Sequence, residues 1–334
     1  MKNMWVLADY YPQFSCKIAQ CRRTCCGGWK IPISRKEYFK LITDTYSSEL
    51  DQKIQNAFIE GKVSDENAFR YIGFNYLGYC PMLKDGYCDL HKQKGSDKIP
   101  KVCQLYPRSL KRINDVYIGS CSNACEMVVE LIFKNKGLKL IKKELDIDPQ
   151  LDYQLADEDI GKIKKMQRIM DSNEEINNKV ADICMVLNAD AFRKDQERSG
   201  DPLTTMITLL KQLQAQDEVL GEMIRQLSET EFDYDQEKER FAETFTDWQS
   251  VYSGVLHNSL IYENYLVLNN PRAYKGFCAA YGMMRVLGAA YTHKHNKKKD
   301  LVDVISAIFH LVDHTSFYDQ IGMLEINTAG LVRL

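Results

Sequence analysis

The chain has 334 residues, 45 % of them hydrophobic, and a formal net charge of −2. It can bury a full core without disulfides. Residues 1–130 carry 19 Lys and Arg against 14 Asp and Glu, a balance of +5, and the remainder carries −7, so neither part is basic enough to announce nucleic acid.

The start, "MKNMWVLADYYPQF", lacks the apolar stretch of a signal peptide, and nowhere do about 18 apolar residues run together as a bilayer span requires. The expectation is a cytoplasmic protein. The first dense feature is "CKIAQCRRTCCGGW" (16–29), four cysteines with Arg22, Arg23 and Lys30 around them. Positive charge there favours thiolates. Helical patterns follow at Glu37–Ile42 and Glu49–Glu60, then "CPMLKDGYCDLH" (80–91), "CQLYPR" (103–108), the best short strand candidate "DVYIGS" (115–120), and "CSNAC" (121–125). Nine of eleven cysteines thus lie before residue 126, and Cys184 and Cys278 read as ordinary buried thiols in helical sequence.

From Glu126 on, apolar residues recur at helical spacing almost to the end. Leu203, Met206, Leu210, Leu213, Leu220, Ile224 and Leu227 form one stripe that starts after "SGDP", a helix start signal, and reads as a packed bundle helix. Phe241, Phe245, Trp248, Tyr252, Val255, Tyr262 and Tyr265 form a second, mostly aromatic stripe, with Gly254 as its expected weak point. Phe277 to Leu287 and Leu301 to Val312 mark two more helices, joined by the polar loop "HKHNKKKD" (293–300). The fold expected is mainly α: an irregular cysteine-rich N-terminal domain over 1–130 with few short strands, then an all-helical bundle over 131–334. No strand, glycine-rich turn and helix occur in the order of a Rossmann nucleotide site, and no P-loop is present.

In the cytosol thiols stay reduced, so this cysteine set reads as a metal or cluster site before a disulfide framework. The spacing is C-x4-C-x3-C-C, then C-x7-C-x2-H, a single Cys103 and C-x3-C. Structural zinc usually takes two short C-x2–4-C pairs, and nine thiols plus His91 exceed the needs of one tetrahedral ion. Adjacent Cys25 and Cys26 suit the separated corners of an iron–sulfur cluster better. A cluster is preferred on spacing, with zinc as the alternative metal. The candidate ligands are Cys16, Cys21, Cys25, Cys26, Cys80, Cys88, Cys103, Cys121 and Cys125.

The segments "CKIAQCRRTCCGGWKIPIS", "CPMLKDGYCDLHKQKG" and "CQLYPR", with Trp29, Pro81, Tyr106, Pro107 and Arg108 in place, resemble the cysteine signature of the flagellin lysine-N-methylase (FliB) family. They are more distantly similar to YkgJ-like cysteine-rich metal-binding domains. The signature covers roughly residues 16–125, and "YENYLVLNN" (262–270) resembles a C-terminal stretch of the same family. The resemblance implies a methyltransferase that moves a methyl group from S-adenosylmethionine to lysine ε-amines of flagellin, with a [4Fe–4S] cluster held by the cysteine motif. It ranks Cys21, Cys25, Cys26, Cys80, Cys88 and Cys103 above Cys16, Cys121 and Cys125.

Methylating an amine by displacement needs the neutral amine, whereas a free lysine has a pKa near about 10.4. Tyr106 and Arg108 are the catalytic candidates, with Tyr71, Tyr76, Tyr117 and Asp89 as further groups able to take or hold a proton. Radical S-adenosylmethionine enzymes carry C-x3-C-x2-C; here Cys21 and Cys25 are followed by Gly28 at the third position, so a radical mechanism is not assumed. His310 and His314, four apart on one helix, read as ordinary histidines rather than a second metal site. The competing function is a non-catalytic zinc- or iron-binding interaction protein.

Overall fold

The structure is a computed structural model that describes residues 2–44, 46–61, 65–213, 218–227, 232–263 and 270–334. It divides into two compact units, one of Ser15–Pro107 and one of Met1–Phe14 with Arg108–Leu334. The division therefore falls at 14/15 and 107/108 and not at the expected 130/131. The reason is strand pairing: Asn3–Ala8 lies parallel to Val116–Cys121 and antiparallel to Leu140–Leu145, which draws the first residues into the larger unit.

The Ser15–Pro107 unit is built from short pieces. Pro32–Ile33, Arg70–Ile72 and Phe58–Glu60 form a three-stranded sheet, and Leu83–Lys84 pairs with Tyr87–Cys88 in a hairpin. Helix Arg35–Thr43 starts at Ser34, whose side chain accepts from the Glu37 amide while Glu37 reaches back to the Ser34 amide. This reciprocal cap satisfies two otherwise orphaned donors. Ser47 caps helix Ser48–Gln55 by accepting from the Leu50 amide, without a return bond. The expected helix over Glu49–Glu60 ends at Gln55, and Phe58–Glu60 is a strand, because Ile59 pairs with Tyr71 once the helix has turned at Asn56. Helices Asp89–Lys94 and Lys101–Leu105 complete the unit. Its small core includes Ile31, Ile33, Leu41, Leu50, Ile54 and Met82, and Cys80 lies inside it with Cys26, Cys88 and Cys103 packed against it.

The larger unit carries a five-stranded mixed sheet, in the order Leu151–Tyr153, Arg108–Ile113, Val116–Cys121, Asn3–Ala8, Leu140–Leu145. Asn114, at φ 50°, turns the hairpin between the second and third strands, and its side chain ties to the backbone of Leu155. Helices make up the rest, so the chain is mainly α as expected, with this sheet in addition. Helix Ala273–Thr292 is the axis, buried from Ala273 through Tyr291 and packed against Lys298–His314, Ile176–Gln196 and Tyr234–Thr244. Burying it on every side is the pattern of a central helix in a large core.

Two expected helices are split. The leucine stripe is carried by Pro202–Gln212, capped by Asp201, and by Glu218–Gln226; residues 214–217 lie outside the described residues. The aromatic stripe breaks at Phe245 (φ −118°, ψ 70°) between Tyr234–Thr244 and Trp248–Glu263, not at Gly254. Gly254 is helical, and it lacks a side chain because the backbone of Gly137 sits where its Cβ would be, 2.8 Å away. Tyr265 and most of "YENYLVLNN" lie outside the described residues. Among the described residues no helix is long and apolar enough to cross a membrane.

Candidate functional site

The fold sorts the nine N-terminal cysteines into two groups. Cys16, Cys21, Cys25, Cys26, Cys80, Cys88 and Cys103 belong to the Ser15–Pro107 unit, and Cys121 and Cys125 to the larger one. Within the smaller unit, Cys26 is the hub. Its carbonyl accepts the Cys80 amide at 2.6 Å, and Gly27 bridges to Tyr79, which lays the first cysteine segment beside the second.

Local backbone prepares the sulfurs for negative charge. Cys80 opens a turn whose Met82 and Leu83 amides point at its sulfur, and the Leu90 and His91 amides, at the start of helix Asp89–Lys94, do the same for Cys88. Such N–H donors stabilise a thiolate and orient it, as outer-shell donors do around metal-bound sulfur. The hairpin pairs Leu83 with Cys88 and so keeps the two turns side by side.

The thiols act on one another. The Cys25–Cys26 hydrogen bond pulls Cys26 down to about 7, with the Thr24 hydroxyl helping, and pushes Cys25 up. Burial raises Cys80 to about 12 and lifts Cys88 and Cys103 as well, and the charge of Cys26 adds to the rise in all three. Cys16 adds its charge to Cys25. Cys25, Cys26, Cys80, Cys88 and Cys103 therefore share one electrostatic neighbourhood, and among these five Cys26 is the thiol drawn down toward neutral pH. Adding further negative charge to this pocket is costly unless a cation joins it.

That donor set suits a thiophilic metal group in chemistry. In placement it is less complete: among the described residues no three His, Cys, Asp or Glu side chains are grouped as ligands of one metal ion. Stacking on Tyr87 holds the His91 ring, with centroids 5.5 Å apart.

Tyr106 stacks on Trp29 at 5.5 Å, which gives the tryptophan of "CCGGW" a structural partner. Arg108 belongs to the larger unit: its guanidinium lies 4.7 Å over Phe14, bonds the Tyr11 hydroxyl, and is close enough to Cys121 to lower that buried thiol's otherwise raised pKa. Cys121 and Cys125 interact there with each other and with Tyr10 and Tyr11. Tyr10 donates to Asn258 at 2.6 Å and accepts the Cys121 amide at 2.9 Å, so "CSNAC" is knitted into a buried polar network. Tyr71 lies in the three-stranded sheet and Tyr117 in the larger one. Asp89 pairs with Lys53 at 2.9 Å, and Tyr76 is almost fully exposed on its turn. His310 and His314 meet edge to face at 5.2 Å, and burial lowers His314 to about 3.

A cleft that the sequence reading did not find lies in the larger unit. It encloses about 410 Å³ between the 135–139 turn, the 170–176 turn and helix Trp248–Glu263, with Lys179 and His257 in its lining. His257 falls in an aromatic helix stripe and looks like core in the sequence, and its companions come from some 80 and 120 residues upstream.

No family model and no solved structure matches the chain. Among curated proteins it is 26 % identical over 127 residues to the Lysine-N-methylase of Salmonella typhimurium, covering 38 % of this chain and 31 % of that one. The Lysine-N-methylase of Salmonella choleraesuis matches at the same identity and coverage. The Flagellar biosynthetic protein FliU of Salmonella muenchen is 25 % identical over 127 residues, 75 % of its length. The match spans about a third of the two lysine-N-methylases. Over those 127 residues the chain is similar to lysine-N-methylases.

Proposed function

We propose that this protein is a methyltransferase that transfers the methyl group of S-adenosylmethionine to lysine ε-amines, that its substrate is flagellin, and that it acts in the cytoplasm before flagellin is exported. The similarity to two proteins named Lysine-N-methylase carries the reading, and the flagellar name of FliU supports the substrate. The cysteine-rich unit is assigned a [4Fe–4S] cluster held by up to four of Cys25, Cys26, Cys80, Cys88 and Cys103, because these five thiols interact with one another and amides point at two of them. When bound, a cluster supplies positive iron centres that offset the thiolates.

The chain's own residues define what remains. A lysine acceptor must lose its proton before it attacks a sulfonium methyl, and water must be kept from the site. Tyr106, fixed by its stack on Trp29 in the cysteine-rich unit, is the residue assigned to take the acceptor's proton, and Arg108, fixed on Phe14 and Tyr11 in the larger unit, is the alternative. A guanidinium beside an ammonium disfavours the charged amine.

Mass spectrometry of purified flagellin incubated with the protein and S-adenosylmethionine tests the assignment. The expected outcome is one added methylene mass per modified lysine, with S-adenosylhomocysteine as product. Formation of 5′-deoxyadenosine would instead show radical chemistry. Flagellin left unmodified by a metal-loaded protein overturns the enzyme and leaves a metal-binding interaction module.

A further inference from the structure

The cleft in the larger unit holds two opposite charges, Lys179 and Asp171, that act on each other without closing into an ion pair. Lys179, 7 % exposed, sits in the first turn of helix Ile176–Gln196. Its ammonium donates to the carbonyl of Met170 at 2.8 Å, which closes the end of helix Asp157–Met170, and lies 3.5 Å from the Ser253 hydroxyl. Both are neutral oxygens, and among the described residues no carboxylate comes within 4.0 Å of it. Asp171 and Glu174, which also line the cleft, act on it only from beyond ion-pair distance, and burial still lowers its pKa; the helix-capping bond does not remove the cost of burying an ammonium with no carboxylate in contact. An anion entering the cleft would.

Asp171 supplies the opposite half. It follows Lys179's partner Met170, lines the same cleft, and its side chain is 52 % exposed, with His257 Nδ1 4.0 Å away. Burial holds His257 neutral, down to about 4, with the Lys179 charge adding to the effect. The imidazole therefore does not neutralise Asp171. Leu138, Met170 and Ile176 add apolar wall beside these charges. Gly137, at φ +123°, and Gly254 pack backbone to backbone and fix the wall on the helix side.

We propose that this cleft binds the ammonium–carboxylate end of a small α-amino acid ligand, with the carboxylate on Lys179 and Ser253 and the ammonium at Asp171. Resting on the lysine-methylation reading, that ligand is S-adenosylmethionine. A site of about 410 Å³ lies within the roughly 300–1,000 Å³ range of small-molecule pockets. A free amino acid offers the same head group, so the test separates the two sources.

Calorimetric titration with S-adenosylhomocysteine, L-methionine and adenosine is run on the full chain and on the Lys179→Met and Asp171→Asn variants. Asp171→Asn is nearly isosteric at a half-exposed position and keeps the fold; if Lys179→Met fails to fold by circular dichroism, Asp171→Asn decides. Removing a charge-assisted contact should weaken S-adenosylhomocysteine about tenfold or more, and adenosine, which lacks the amino acid end, should be insensitive. L-methionine binding with the same sensitivity while S-adenosylhomocysteine does not bind keeps the amino acid site and assigns it to a free amino acid. No binding of either, or binding that both folded variants leave unchanged, overturns the proposal. Binding without methyl transfer to flagellin would sink the enzyme reading and leave the cleft standing. Methyl transfer by Asp171→Asn at an unchanged KM for S-adenosylmethionine would sink the cleft and leave the enzyme.

Discussion

Cys26 shows how a residue's role follows from its neighbours rather than its type. Its thiol receives hydrogen bonds from Cys25 and Thr24, and its charge weighs on Cys80, Cys88 and Cys103. Cys184 and Cys278 also sit close, 3.2 Å apart, but both are fully buried in apolar core and burial raises Cys184. Replacing Cys25 or Cys88 by Ser should therefore remove most iron from protein purified anaerobically, while Cys184→Ser should keep it. Iron analysis reads the difference, and equal iron in all variants would end the cluster assignment. The motifs made the cysteine list legible, yet not its partition, since only pairing of Asn3–Ala8 with Val116–Cys121 reveals that Cys121 and Cys125 stand in the larger unit. His257 gives a second residue-scale test. Unfolded, it titrates near 6.5, and burial holds it at about 4 in the fold, so the unfolded chain takes up more protons between those values. Stability is full above pH 6.5 and falls as pH drops toward 4, by about 3 kcal/mol at 1.36 kcal/mol per unit. His314, lowered to about 3, acts in the same direction. Urea midpoints of His257→Gln should decline less steeply across this window, and a slope equal to wild type would show that His257 is not held neutral.

At the scale of elements, helices with one long apolar face were legible and strands largely were not. Lys298–His314 buries Leu301, Val304, Ile305, Ile308 and Val312 as its spacing predicts. "RSLKRI" and "LIKKEL" read poorly as strands because lysines interrupt them, and the structure explains one of these: Lys111 is buried and its ammonium donates to the carbonyls of Ile261 and Tyr262, near the end of helix Trp248–Glu263. Lysines commonly satisfy the last carbonyls of a helix this way. Gly254 was misread for the opposite reason, since a helical glycine looks like a weak point until its close neighbour is known. In open helix, Gly→Ala gains about 1 kcal/mol. Here the new methyl would meet the Gly137 backbone at 2.8 Å and the Leu138 amide at 2.9 Å, and backbone gives way less easily than a side chain tip. Gly254→Ala should consequently destabilise, by roughly 1–3 kcal/mol as overpacking does, and thermal melting provides the measurement. A raised melting temperature would mean that the 137 turn moves freely away from the helix.

For the whole molecule, the cysteine-rich unit is an insertion. The chain leaves the larger unit after Phe14 and re-enters it at Arg108, and the guanidinium of Arg108 lies over the Phe14 ring at 4.7 Å, so the larger unit clamps both ends of the inserted segment together. Each unit has its own core: one cluster joins Ile31, Leu50 and Met82, and a far larger one takes in Ala8, Tyr10, Phe14 and Cys121 and runs on from Val128 to Leu334. The small core belongs to 93 residues that hold seven cysteines, whereas the large one needs no metal to account for its burial. Because binding of metal to a folded site adds its free energy to folding, loading should stabilise the insertion and leave the rest almost unchanged. Hydrogen exchange on metal-loaded and metal-depleted protein resolves this by segment. Depletion should speed exchange in Arg35–Thr43, Ser48–Gln55 and Asp89–Lys94, while Ala273–Thr292 stays protected. Uniform loss of protection in both units would show that the metal is not confined to the insertion, and unchanged exchange in the insertion would show that its own core, with the Ser34 and Ser47 caps, suffices to hold it.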